Sequence, residues 1–407
     1  MSDSQSSKII TISYWSFTIT DGALRMLVLL HFHSLGYSPL DLAVLFLLYE
    51  LMGVITNLVG GWLGAKYGLK FTLFLGLSIQ VLALVMLAFL PEQLAVGLSV
   101  IYVMTSQALS GIAKDLTKMS SKTAMKFIVG AGNSTALYKW VSLLTGSKNT
   151  LKGVGFFVGA FLLSVVGFQQ ALLLMAGMLI VVLVICYCIL TGELGSFAGK
   201  VKFKEIFSKS REVNLLSGAR IFLFASRDVW FVVGLPIFLV SELDWNFGQA
   251  GTFMAIWVIG YGIVQACVPL ILSNIDGSVT AVQSVKKWGC VLSIIPILIA
   301  FGISGLVSPS IEPANWLIVG LFLFGIVFAI NSALHSYLIV EYADIEKASL
   351  NIGFYYMANA IGRFMGTFLS GFLYQYFGLT ACLFVSTLMI FMAVLLTLPL
   401  GLNREIK

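Results

Sequence analysis

The stretch "SYWSFTITDGALRMLVLLHF", from Ser13 to Phe32, has the length of one bilayer crossing and carries Asp21 and Arg25 near its middle. About 20 predominantly apolar residues suffice to cross a hydrocarbon core ~30 Å thick. The segment is too long for a cleavable signal and lacks the basic leader and small-residue exit of one, so it reads as a retained transmembrane helix. Its two charges pose the question that organises the rest of the chain. A charge at the centre of a membrane helix costs about 3 kcal/mol on the insertion scale, so something around Asp21 and Arg25 must offset that cost.

The same pattern recurs along all 407 residues, of which 59% are hydrophobic and 10% charged. A soluble domain holds about 25% charged residues. Apolar segments are predicted at 9–33, 39–64, 70–90, 94–117, 136–166, 169–191, 214–240, 246–272, 287–306, 314–340, 348–376 and 379–402. The longest hydrophilic stretch, "GELGSFAGKVKFKEIFSKSREVN" at 192–214, divides them six and six. The expected architecture is an all-α membrane protein of twelve transmembrane helices, a 6+6 bundle with pseudo-two-fold halves. Its parts are an N-terminal six-helix half (1–191), a basic linker (192–213) and a C-terminal six-helix half (214–407).

Lys and Arg mark one side of this plan. Lys8, Lys66, Lys70, Lys118, Lys122, Lys126, the five bases from Lys200 to Arg211, Lys286, Lys287, Lys347, Arg404 and Lys407 fall in alternate loops and the termini. The opposite loops, near 34–38, 91–93, 167–168, 241–245, 307–313 and 377–378, contain no Lys or Arg. By the positive-inside rule both termini and the linker are cytoplasmic, and the expected location of this multi-pass protein is a bacterial inner (plasma) membrane. The net charge of +6 then reflects topology and attraction to the lipid surface rather than nucleic-acid binding.

The halves echo each other. "FTITD" (17–21) and "FASRD" (224–228) both place Phe four residues before Asp. "KGVGFFVGAFLLSVVGF" (152–168) aligns with "RFMGTFLSGFLYQYFGL" (363–379), setting Lys152 opposite Arg363, Gly155 opposite Gly366 and Gly167 opposite Gly378. Duplicated bundles of this kind are the habit of secondary transporters.

Asp21 and Arg25 have company at membrane depth. Lys148 and Lys152 lie in span five, Arg220 and Arg227 in span seven, Arg363 in span eleven, Glu50 in span two and Asp228 in span seven. Nine such charges facing lipid would cost on the order of 25 kcal/mol, more than the net stability of a domain, about 5–15 kcal/mol. They must pair or line a wet cavity. Asp21 and Arg25, four apart, are spaced to pair along one helix, and Glu50 and Asp228 can neutralise two further bases. Six bases against three acids leave three positive charges, which an anionic substrate would balance. Arg grips oxyanions bidentately and Lys acts as a point charge.

The expected substrate-binding residues are Lys152 and Arg363, related by the repeat and approaching a cavity from opposite halves, with Arg25, Lys148 and Arg227. Asn331 and His335, four apart in span ten, could add hydrogen bonds or serve helix packing. Arg220, nearer the cytoplasmic end, reads as a gate or a snorkelling residue. Glu50 is the expected protonatable group, and Asp21, Glu50 and Asp228 are candidates for proton coupling or ion pairing.

Several chemistries find no residues. "GSFAGK" falls one residue short of a nucleotide-binding P-loop and lacks its hydroxyl. His31, His33 and His335 form no zinc pattern, and the five cysteines, Cys186, Cys188, Cys267, Cys290 and Cys382, contain no C-x-x-C pair. No enzymatic activity, resident metal or cofactor is expected.

"GGWLGAKYGLK" (60–70) resembles the cytoplasmic G-x-x-x-D-[RK]-x-G-x-[RK] signature of the major facilitator superfamily. Gly61, Lys66, Gly68 and Lys70 match, as a gating loop between spans two and three, while Ala65 replaces the Asp. Longer runs, "TDGALRMLVLLHFHSLGYSP", "LLYELMGVITNLVGGWL", "SQALSGIAKDLTKMSSK", "LTGSKNTLKG", "RDVWFVVGLPIF" and "WVIGYGIVQA", are similar to the ArsJ-type organoarsenical efflux permeases of that superfamily. The resemblance implies export of 1-arseno-3-phosphoglycerate and hence arsenate resistance. It also implies a functional partner, the glyceraldehyde-3-phosphate dehydrogenase that makes this compound by using arsenate in place of phosphate. Two other readings stay open: a major facilitator exchanger for another organophosphate or organic anion, and a non-transporting membrane sensor.

Overall fold

The computed structural model describes residues 3–67, 69–91, 95–129, 134–190, 210–272, 277–304, 312–342 and 348–400. Side chains at 3–7, 60–69 and 122–146, among others, lie outside the described set. The chain forms α1 (Asp3–Ser34), α2 (Pro39–Tyr67), α3 (Leu69–Ala88), α4 (Val96–Val129), α5 (Ser134–Val166) and α6 (Phe168–Ile189). It continues with α7 (Arg211–Phe231), α8 (Gly234–Ser241), α9 (Phe247–Ile271), α10 (Gly277–Ile303), α11 (Pro313–Tyr342) and α12 (Ala348–Thr397). Helices dominate because hydrocarbon offers the backbone no hydrogen-bond partner, so each apolar segment must satisfy its own N–H and C=O groups.

These helices map onto the expected spans with two differences. Span seven is broken into α7 and α8. Pro236 has no N–H to give the carbonyl of Val232, and its ring crowds that turn. The loosened N–H groups of Val233 and Gly234 donate instead to Ser370 Oγ at 3.2 and 3.1 Å. Spans eleven and twelve run together as α12, bent at Gly378. Gly378 has φ 73°, ψ −175°, and Gly167, between α5 and α6, has φ 82°, ψ 177°. Only glycine occupies that region without strain. The two glycines aligned by the repeat therefore make the same bend at the same junction.

Among the described residues, nine segments are long and apolar enough to cross a membrane. The last, Gly353–Thr397, has 45 residues, which at 1.5 Å per residue is enough for two passes. α1 and α4, with 32 and 34 residues, also have the length, but their interiors carry Asp21, Arg25, Lys114 and Asp115.

The chain divides into two compact units. Unit 1 comprises Met1–Gly36, Leu45–Val201 and Asn246–Ile259; unit 2 comprises Tyr37–Val44, Lys202–Trp245 and Gly260–Lys407. Of the basic linker 192–213, all but 210–213 lies outside the described residues. In unit 1 the aromatic core is Phe17, Phe32, Phe46, Phe156 and Trp257; in unit 2 it is Trp230, Phe324, Phe328 and Tyr355. The first turns of α9 pack on α5 in unit 1, where a Cβ on Gly153 would come within 2.8 Å of the Ala255 carbonyl. The start of α2 packs in unit 2, where the Leu40 N–H donates to Gln375 Oε1 at 3.0 Å.

Candidate functional site

The charged cluster of unit 1 is built on one close helix contact. α1 and α5 touch backbone to backbone through "GFFVG" (155–159), the small-x-x-x-small spacing of membrane helix pairs. A Cβ at Gly155 would lie 3.0 Å from Gly22 Cα, and one at Gly22 would lie 2.6 Å from the Lys152 carbonyl. This approach sets Lys152 Nζ 4.0 Å from Asp21 Oδ2. The other Asp21 oxygen accepts a 2.5 Å hydrogen bond from the Tyr49 hydroxyl on α2.

One turn along α1, Arg25 Nη2 lies 2.6 Å from Glu50 Oε1, and Glu50 is 0% exposed. The Arg25 guanidinium also sits 5.2 Å from the ring centroids of both Phe46 and Tyr49. From α4, Lys114 Nζ lies over the Tyr49 ring at 3.9 Å and 3.8 Å from Asp115 Oδ2. Lys118 bridges Asp115 Oδ1 at 2.7 Å and Asn57 Oδ1 at 3.1 Å. Tyr49 is thus the hub of the network, touching Asp21 through its hydroxyl and two cations through its ring.

This arrangement corrects the sequence reading twice. The expected pair of Asp21 with Arg25 does not form. A pair four residues apart on one helix contributes only ~0.3–0.5 kcal/mol, whereas a buried carboxylate left alone costs several. Arg25 is taken by Glu50, and Asp21 turns to Tyr49 and Lys152. The count of six bases and three acids is also too small. Lys114 and Asp115 lie inside the predicted span 94–117, and Lys118 extends along α4 with its side chain 14% exposed rather than in a loop. The run "AKDLTK" (113–118) carried the signal, a K-D-x-x-K spacing that puts both lysines within a helical turn of the Asp. Nothing in the sequence pointed to Tyr49.

Lys148 sits half-buried on α5, one turn before Lys152. Unit 2 holds its own cluster on α7. Arg227 Nε and Nη2 lie 2.7 and 2.6 Å from Oδ1 of the neighbouring Asp228. Its guanidinium rests against Phe224 at 4.9 Å and Phe328 at 5.6 Å. Arg363 is half-buried on α12, one turn before Gly366, where a Cβ would come within 2.7 Å of the Asp228 Cβ. Asn331 donates to the Val285 carbonyl at 2.9 Å, tying α11 to α10, so its amide serves helix packing. His335 is buried one turn further along α11.

Arg220 is neither a snorkelling nor a surface residue. It is 5% exposed, and its Nε donates to Asn359 Oδ1 at 3.2 Å. Its Nη1 donates to the Ser332 carbonyl and to Ser332 Oγ, both at 3.1 Å. The sequence position suggested a helix end; the packing of α11 and α12 around α7 makes it an interior.

Gly61, Lys66 and Gly68, with the rest of 60–69, lie outside the described side chains. Lys70 is half-buried at the start of α3 with its Nζ 5.7 Å from the Phe74 ring. Cys186 and Cys382 are buried while Cys188 and Cys290 are exposed on apolar helices, and all five cysteines are free. Among the described residues no group of three or more His, Cys, Asp or Glu side chains converges as metal ligands. In formal charge, the unit 1 cluster sets Arg25, Lys114, Lys118, Lys148 and Lys152 against Asp21, Glu50 and Asp115. The unit 2 cluster sets Arg220, Arg227 and Arg363 against Asp228. Counted over these described side chains alone, each set is two formal charges positive.

No family model matches the chain, and no curated protein matches it. Solved structures do. The nucleoside transporter NupG is 15% identical with a TM-score of 0.70, covering 97% of this chain and 98% of its own. A POT family transporter in complex with a thioalcohol-conjugated peptide is 14% identical with a TM-score of 0.74, covering 98% of this chain and 96% of its own. A POT family transporter in complex with 5-aminolevulinic acid is 15% identical with a TM-score of 0.74, covering 95% and 94%. Over nearly its whole length the chain has the all-helical membrane fold of these transporters.

Proposed function

We propose that the chain is a secondary transporter that exports a small, multiply charged organic anion from the cytoplasm by alternating access. The observation that supports this reading is the formal excess of basic over acidic side chains among the described residues named above. Solved proteins of this fold are named as transporters of nucleosides and peptides, and one was crystallised with 5-aminolevulinic acid; those are small solutes rich in polar groups. Here the charged side chains named above are chiefly basic, eight against four, so the fitting solute is an anion. Arg25, Lys148, Lys152, Arg227 and Arg363 are the proposed contacts.

Within that class the cargo is 1-arseno-3-phosphoglycerate, on the strength of the resemblance to the ArsJ-type permeases. Its phosphate and arsenate ester make it a small polyanion with little apolar surface. Its arsenic is pentavalent and clad in oxygen, so soft thiolate ligands are not required, in keeping with five unpaired cysteines. One elementary charge moved through 100 mV is worth about 2.3 kcal/mol. Three negative charges leaving a negative interior thus gain roughly 7 kcal/mol if the protein carries no compensating charge. Proton antiport through Glu50 would add to this, and proton-dependent oligopeptide transporters share the fold. In this proposal the basic loops and both termini face the cytoplasm of a bacterial inner membrane.

The test uses everted membrane vesicles holding the protein, supplied with arsenate, glyceraldehyde 3-phosphate, NAD and glyceraldehyde-3-phosphate dehydrogenase, each omitted in turn. The expected result is arsenic uptake that needs all four. Uptake independent of the dehydrogenase rejects this cargo. Uptake of phosphoglycerate or glycerol 3-phosphate without arsenic instead favours the general organophosphate exchanger, and absence of any anion flux favours the sensor.

A further inference from the structure

Ser217, Arg220, Phe224 and Arg227 follow one another at three, four and three residues, along one face of α7. Phe224 is shared by two guanidiniums. Arg220 Cζ lies 4.0 Å and Arg227 Cζ 4.9 Å from its ring centroid. Arg227 has Asp228, whereas among the described residues no carboxylate forms an ion pair with Arg220. Its acceptors are an amide, a hydroxyl and a backbone carbonyl, all neutral, and its other neighbour is the Tyr355 ring at 4.9 Å. Among the described residues, a whole positive charge is therefore enclosed in unit 2 without a counter-ion.

Two further polar groups beside it have no hydrogen-bond partner among the described residues. Ser217 Oγ, one turn back on α7, is such a group, and Ser217 is 2% exposed. His335 Nδ1 is the other, with His335 1% exposed. His335 stands one turn from Ser332, which already holds the guanidinium. Buried polar atoms are normally paired, and two orphans next to an uncompensated guanidinium share one remedy. A carboxylate or phosphate group would accept from Arg220, Ser217 and His335 together and bring the missing negative charge.

We propose that Arg220, Ser217 and His335 form an oxyanion subsite that anchors one acidic group of the transported molecule. This rests on the transport of an organic anion proposed above and adds a residue set that the Lys152 and Arg363 assignment leaves out. Charge-assisted hydrogen bonds to such a group are about twice as strong as neutral ones, so loss of the guanidinium should cost roughly 10- to 100-fold in affinity.

The experiment is equilibrium binding of 3-phosphoglycerate, glycerol 3-phosphate and glycerate to the purified full chain in nanodiscs. The variants are Arg220→Gln, Arg220→Lys, Ser217→Ala and His335→Phe. Expected is a loss of roughly 10- to 100-fold for Arg220→Gln, a smaller loss for Arg220→Lys, which keeps charge but not the fork, and severalfold losses for the other two. The losses should vanish for whichever probe lacks the anchored group, which identifies it as phosphate or carboxylate. Folded variants that bind all three probes as the wild type does overturn the subsite and leave the transport reading intact. Wild-type protein that binds none of the three overturns the anion reading and the subsite with it. Should Arg220→Gln not yield folded protein, Ser217→Ala and His335→Phe decide: wild-type affinity in both overturns the proposal.

Discussion

Replacing Glu50 by Leu removes the carboxylate 2.6 Å from the Arg25 guanidinium in unit 1. Glu50 is wholly enclosed and its Oε1 is 2.6 Å from Arg25 Nη2, so neither charge has bulk water to fall back on. Breaking a buried pair from one side costs about 3–5 kcal/mol, whereas exchanging both partners for apolar groups is often neutral. Glu50→Leu and Arg25→Met should each therefore destabilise by about 3–5 kcal/mol. The double variant should return to within about 1 kcal/mol of the wild type, a coupling energy of about 5 kcal/mol or more. Unfolding in mixed micelles, followed by tryptophan fluorescence, measures all four corners of the cycle. The double variant should nonetheless fail to transport, because Arg25 is a proposed anion contact. Single-variant losses that simply add, with coupling below about 0.5 kcal/mol, would refute the reasoning; the two charges would then be solvated independently.

Gly155→Leu should cost several kcal/mol and disrupt α1–α5 packing, since even a Cβ there would lie 3.0 Å from Gly22 Cα; unaltered unfolding would show that the helices can part freely. Gly177→Ala, on the exposed face of α6 with nothing within 4 Å, should stabilise by about 0.5–1 kcal/mol in the same assay. Gly378→Ala should destabilise by about 1–3 kcal/mol, because φ 73° with ψ −175° strains any side chain. In vesicles, transport by Glu50→Gln should lose its response to the pH gradient; a full response would remove Glu50 as the protonatable group. Lys152→Ala and Arg363→Ala should each abolish anion flux while leaving folded protein, and unimpaired flux in either removes that residue from the binding set.

The membrane-spanning character of the chain and its helical content were set by local features that need no neighbours to act. Hydrocarbon demands some 20 apolar residues per crossing and a backbone that satisfies itself, and both demands can be read segment by segment. Gly167 and Gly378 align in the sequence and make the same bend because a positive φ is a property of one residue. The identity of most of the buried charges was also legible, since an ionisable side chain within an apolar run is conspicuous.

Their partners were not legible. The spacing of Asp21 and Arg25 suggested a pair within α1, and the structure gave Arg25 to Glu50 and Asp21 to Tyr49 and Lys152, on two other helices. Arg220 looked like a helix-end residue and proved enclosed. Tyr49 carried no charge to mark it, yet it joins three helices through one hydroxyl and one ring. Sequence spacing determines which side chains share a face of one helix; which helix that face meets is set by packing between helices. In a low-dielectric interior the nearest opposite charge on a neighbouring helix outweighs a weak partner on the same one.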